Sequence, residues 1–149
     1  SPTGDFCLSK SDEVNVWVIK PELWTVDEIN IYGWGASNLG ELNSWPGKPM
    51  TKVKEGVYKY TFTSGLPSGI KFNNTSTNPH TQSTDIMFVQ NAIYEWNGEN
   101  CNVDNTVFKV REVVSAICGA TGVENVNDAQ GANDNENPYP MPLWSSGRG

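Results

Sequence analysis

Seven short runs of alternating residues, each closed by a turn-forming cluster, constrain this chain more than any other feature. They are Glu13–Ile19, Glu28–Trp34, Met50–Lys54, Val57–Thr63, Ile70–Asn73, Thr84–Val89 and Ala92–Trp96. Side chains on a strand point to opposite faces in turn, so alternation marks strands with one buried face. In Glu-Val-Asn-Val-Trp-Val-Ile the valines 14, 16 and 18 share a side, and Pro21 stops the run. Met50–Lys54 and Val57–Thr63 read as a hairpin about Glu55-Gly56. Thr84–Val89 and Ala92–Trp96 read as a second pair, turning near Gln90-Asn91. Many short strands at close spacing predict an all-β sandwich.

The texture changes after Gly98, and a module of residues 1–98 followed by an appendage or linker of 99–149 is the expected division. Asp104 can cap a helix in which Val107, Val110, Val114 and Ile117 form one stripe, ended by Gly119. The spacing predicts a helix from Asn105 to Cys118, although Val-Phe-Lys-Val-Arg also alternates and fits a last strand. From Gly122 the Asn, Asp, Gly and Pro content predicts an extended tail, in which Leu143-Trp144 has the apolar bulk to dock.

The cysteines, at 7, 101 and 118, are odd in number. A helix over 105–118 is roughly 20 Å long. The residues joining it to Cys101 reach only about 10–13 Å. A bridge needs Cα atoms within roughly 7 Å, so that helix would keep Cys101 from Cys118. If the first and last strands of the sandwich run antiparallel side by side, Cys7–Cys101 is the natural disulfide and Cys118 is the spare thiol.

A formal charge of −7 excludes the usual basis of nucleic-acid affinity and of attraction to anionic membranes. No apolar run approaches the ~20 residues of a membrane span, so no membrane insertion is expected. Sparse charge with abundant Trp, Asn, Thr and Gly suits an extracellular β-rich module, secreted or at the cell surface. Seventeen acidic residues bring some carboxylates within glycosidase distance by chance, but none sits in a motif that marks a catalytic acid. His80, flanked by Pro79 and Thr81, is expected to be solvated. The Asn/Asp-rich stretch 125–137 fails the twelve-residue calcium template, because Gly131 would put Val126 at its first ligand position. No metal, cofactor or catalytic residue is therefore expected.

The binding signal lies in the second run. Ile29, Ile31 and Gly33 point one way, leaving Asn30, Tyr32 and Trp34 on the other face, and Trp45 follows a polar loop, pinned by Pro46-Gly47. Outward aromatics so close together suggest a platform for flat apolar faces such as those of sugar rings. Trp17, Trp24 and Trp96 are assigned to structure.

Several segments carry a resemblance in a fixed order. They are Ile31-Tyr32-Gly33-Trp34, Trp45-Pro46-Gly47-Lys48-Pro49-Met50, Gly56-Val57-Tyr58-Lys59-Tyr60 and Phe72-Asn73-Asn74, followed by Gln82-Ser83-Thr84-Asp85-Ile86 and Ile93-Tyr94-Glu95-Trp96. The succession, over about residues 12–98, resembles the starch-binding carbohydrate-binding modules of family 26, kin of family 25. These are noncatalytic modules of secreted bacterial amylases and starch-adherence proteins. The resemblance implies an immunoglobulin-like β-sandwich, a monomeric part of a larger protein, and starch or maltooligosaccharide as ligand. It implies an aromatic cradle of Tyr32, Trp34 and Trp45, with Lys48 and Gln82 as polar contacts. With no histidine among them, binding is expected to be independent of metal and of pH between about 5 and 8. The reading from another class is a structural or adhesion sandwich whose aromatics bind a protein.

Overall fold

The alternating runs stack into two sheets. The computed structural model describes residues 6–74, 81–99 and 102–119. In one sheet the order is β10 (Phe108–Val113), β9 (Ala92–Trp96), β1 (Asn15–Ile19), β5 (Val57–Thr61) and β4 (Thr51–Lys54). In the other it is β3 (Lys48–Pro49), β2 (Asn30–Trp34), β6 (Gly69–Asn74) and β7 (Thr81–Gln82), with β8 (Ile86–Met87) also paired to β6. Val16 and Val18 of the first sheet meet Ile31, Ile70 and Phe72 of the second, and Trp24, Tyr58, Tyr94 and Phe108 fill the space between them. Full burial of each such side chain contributes about 1.5–3 kcal/mol. The expected hairpin about Glu55-Gly56 forms, with Gly56 at φ +77°.

Trp17 lies opposite the valines yet is fully buried. Phe6 meets its ring edge-on at 6.1 Å, and the Lys59 ammonium stands 5.6 Å from its centroid. Trp24 donates its indole N–H to the Thr106 hydroxyl at 2.9 Å. Both are structural residues, as expected.

Four expectations need correction. The helix over Asn105–Cys118 is absent, and its central residues form β10, antiparallel to β9. The free edge of β9 offers a row of backbone partners, and β-branched valines fit a pleated edge better than a helix. The stripe a helix would bury is split, with Val107 and Val110 about two-fifths exposed and Val114 buried, while Phe108, outside the stripe, is buried.

Second, 84–89 and 92–96 are not a hairpin: β8 pairs with β6, and β9 belongs to the other sheet. The segment between them crosses from sheet to sheet. It is held by the Tyr94 hydroxyl, which accepts from Val89 N–H at 2.9 Å and donates to the Met87 carbonyl at 3.0 Å. Asn91 takes the left-handed conformation at φ 60° where β9 begins.

Third, the compact unit runs from Pro2 to Ser115, so the division expected at residue 98 falls inside it. β10 completes one sheet. The Gln82 N–H donates to Val103 O, the Thr84 N–H donates to Thr106 O, and Thr106 N–H returns to Gln82 O, which adds residues 103–106 to the edge of the other.

Fourth, β1 and β9 run parallel, not antiparallel, which removes the geometric basis for joining Cys7 to Cys101. Cys7 and Cys118 are both disulfide-bonded, so a Cys7–Cys101 bridge beside a free Cys118 is not the arrangement found. Cys101, His80, the stretch 125–137 and Leu143-Trp144 lie outside the described residues.

At the β4–β5 end, Asp27 accepts from Lys52 Nζ at 2.6 Å and from the Tyr58 hydroxyl. The Lys52 bond first, and the Tyr58 bond second, hold the Asp27 carboxyl below its ordinary value. A depressed carboxylate contributes stability above its unfolded pKa and loses it as pH falls through the folded one. Thermal scans from about pH 6 to about pH 2 are therefore expected to show the gap between parent and Asp27→Asn closing in acid. A gap independent of pH would remove this role.

Candidate functional site

The outer face of the second sheet is built on β2. Ile31 is fully buried in the core, which by alternation turns Tyr32 and Trp34 outward. Their ring centroids are 5.9 Å apart with planes tilted by 40°. Trp45 closes against Tyr32 at 5.2 Å and 71°, with 42% of its surface exposed. The three expected aromatics thus form one cluster of angled rings.

The two tryptophans have visible supports. Trp34 sits on Gly69, its cross-strand neighbour: a Cβ at residue 69 would lie 2.4 Å from the indole Cζ2. Trp45 is carried by a loop tied to the sheet at several points. Asn43 Nδ2 donates to Gly33 O at 2.8 Å, and Leu42 is buried beside Gly33. Asn73 Nδ2 donates to Pro46 O at 3.1 Å, while its Oδ1 accepts from Asn30 Nδ2 at 3.2 Å. Gly47, at φ +93°, packs so closely on β2 that a Cβ would come 1.9 Å from Ile31 O. Only glycine fits there, and the contact sets the height of the loop. The Trp45–Pro46 peptide is cis.

Polar groups complete the face. Lys71 stands opposite Tyr32, and Gln82 opposite Asn73. The Lys71 ammonium lies 5.9 Å from the Trp45 centroid, 3.4 Å from Gln82 Oε1 and 3.9 Å from Asp85 Oδ1. Met87, 79% exposed, is registered opposite Gly69 and so continues the row that begins at Trp34. Lys48 stands apart: it is registered with core-facing Ile31, and its ammonium lies 3.8 Å from Glu41. The structure therefore gathers Tyr32, Trp34, Trp45 and Gln82, the last through Lys71, and places Lys48 with Glu41 at the sheet edge.

Lys71 is the member that sequence reasoning missed. Ile70 and Phe72 turn inward, so alternation already places Lys71 outside; the register that sets it beside Tyr32 has no local signal. Asn73, at the end of the Ile70–Asn73 run, clamps the Trp45 loop through Pro46 O. A hollow of about 350 Å³ lined by Pro49, Thr51, Lys59, Tyr60 and Thr61 contains none of these residues. Among the described residues no helix is long and apolar enough to cross a membrane.

Residues 16–88 match the family described as starch-binding module 26, a span that includes all the residues of this face. Among solved structures, the chain is similar to the second family-25 module (CBM25-2) of the beta/alpha-amylase from Paenibacillus polymyxa, seen in solution. Identity is 17%, the TM-score is 0.39, and the likeness covers 67% of this chain and 92% of that one.

Proposed function

We propose that this chain, whose residues 16–88 match the starch-binding module 26 family, binds α-1,4-linked glucans without acting on them. The observation that carries the reading is the ring cluster: Trp34 and Trp45 flank Tyr32 with centroids 5.9 and 5.2 Å from it, at 40° and 71°. An α-1,4 glucan curves, and angled rings follow a curved chain where a flat strip would suit a straight one. Each ring stacked on a glucose buries apolar C–H surface, and side-chain donors such as Gln82 replace the water lost by the hydroxyls. Lys48 reaches the ligand on this reading only by leaving Glu41. The sandwich serves as the immunoglobulin-like framework that the resemblance implies.

A platform of three rings is small, which sets dissociation constants between micromolar and millimolar. Useful retention then comes from several modules on one secreted amylase or starch-adherence protein. Retention on insoluble starch, with cellulose as control, tests the proposal, together with calorimetric titration by maltoheptaose with and without chelator. Equal retention on both polymers, or none on either, would sink it. A chelator-sensitive affinity would mean that a cation belongs to the site.

The seat under Trp34 yields a separate expectation. Gly69→Val drives a side chain into the indole, so it should lift Trp34 from the sheet and weaken maltoheptaose binding about tenfold or more. A shift of tryptophan emission should accompany the loss. Unchanged affinity would show that Trp34 is not a contact.

A further inference from the structure

Lys71 occupies the middle of the aromatic face, and three separate stretches of chain converge on its ammonium. Gln82 on β7, Asp85 ahead of β8 and Trp45 on its loop stand 3.4, 3.9 and 5.9 Å away. Only 26% of its side chain is exposed, against 77% for Asp85. We propose that Lys71 is the positioning residue of this face, setting both the direction in which the Gln82 amide points and the attitude of the Trp45 ring. The inference rests on the glucan-binding reading and deepens it by specifying the polarity of the site.

An ammonium can only donate, so the group beside it must present an acceptor. Gln82 therefore turns Oε1 toward Lys71, and its NH₂ is left as the free end of the amide. That end can give hydrogen bonds to oxygen acceptors of the ligand and can take none. Among the described residues, Lys71 supplies the hydrogen bond that distinguishes the two ends of the amide. Without that bond half of the amide's orientations would present a carbonyl, and ligand binding would have to order the side chain.

Trp45 stands on an exposed loop and is braced on one side by the edge of Tyr32. Lys71 braces it on another through the attraction of a cation to the ring face. Asp85 also stands against the ammonium, 3.9 Å away. As a mostly exposed ion pair it adds little stability of its own, so its effect is one of placement. The consequence is coupling: losing Lys71 should weaken the contribution of Gln82 and of Trp45 together while leaving the core intact.

Calorimetric titration with maltoheptaose, beside thermal unfolding, tests this on the full chain carrying Lys71→Met, Lys71→Arg, Gln82→Ala and the Lys71→Met/Gln82→Ala pair. Lys71→Met should weaken binding about tenfold with the thermal midpoint held. Lys71→Arg, which still donates and still stacks on an aromatic ring, should stay within about threefold of the parent. In the Gln82→Ala background, Lys71→Met should cost distinctly less than in the parent. Parent-like affinity for Lys71→Met overturns the inference, as does an equal cost in both backgrounds or failure of Lys71→Arg to rescue. Trp45→Ala is titrated alongside. If it binds like the parent, or if the parent binds no maltoheptaose, the glucan reading itself falls and takes this inference with it.

Discussion

Trp45→Ala is expected to abolish retention on insoluble starch and to leave the thermal midpoint of unfolding close to that of the parent. The two outcomes separate because of where the residue stands. Its ring is 42% exposed and is braced by Tyr32 and Lys71, whereas Trp17 and Trp24 are fully enclosed. Truncation removes surface that a ligand would cover and little that the core uses. An aromatic side chain covered on binding is worth about 1.5–3 kcal/mol, and 1.4 kcal/mol is about tenfold in affinity. From a starting point between micromolar and millimolar, a loss of roughly ten- to a hundredfold takes the protein off a starch pellet. Parent-like retention of Trp45→Ala would remove the aromatic cluster from any role in binding. A collapse of the thermal midpoint would make Trp45 a core residue.

How much of this was legible in the sequence depended on whether the deciding force was local. The outward face of β2 could be read because alternation with buried Ile31 leaves Tyr32 and Trp34 nowhere else to go. The β4–β5 hairpin could be read because Gly56 supplies the positive φ its turn needs. β9 begins and ends at Ala92 and Trp96, where its pattern begins and ends. Residues 105–118 misled because their valines satisfy two periods at once, and the choice was made by the free edge of β9, which is not a property of that segment. The 84–89 run obeys the same rule: its alternation suits a tight turn into 92–96, but the chain crosses between sheets and β8 pairs with β6. In the site, composition and alternation identified the rings, but the register of β6 on β2 brought Lys71 beside Tyr32 and seated Trp34 on Gly69. Register is a long-range outcome of packing. Lys48 shows the converse, since the motif singled it out and the register aligned it with a core-facing position.

The same register argument gives the largest expected effect on stability. Phe108→Ala should destabilise the protein by about 3–5 kcal/mol, the usual cost of deleting a phenyl ring from a core. For a unit of this size that corresponds to a fall in thermal midpoint on the order of 10–20 °C. Phe108 is 8% exposed and meets both Trp24 and Phe72 edge-to-face at 5.5 Å. It therefore ties β10, a strand of the first sheet, to Phe72 of the second, beside the buried bond from Trp24 to Thr106. The expectation distinguishes strand from helix. On a helix, Val107, Val110, Val114 and Ile117 would be the buried stripe, and Val110→Ala would be costly. On the strand, Val110 is 39% exposed at the sheet edge, and its truncation should change stability by no more than about 0.5 kcal/mol. Chemical denaturation of the two variants compares them directly. A Val110→Ala cost exceeding that of Phe108→Ala would overturn the strand. The expected order means that a fragment ending at residue 98 lacks a strand its core depends on: it leaves the edge of β9 open and the Trp24 indole N–H without its Thr106 acceptor, which alone costs about 1–3 kcal/mol. Such a fragment should unfold far more readily than the full chain, and starch retention should be lost with it, although every residue of the proposed binding face would still be present.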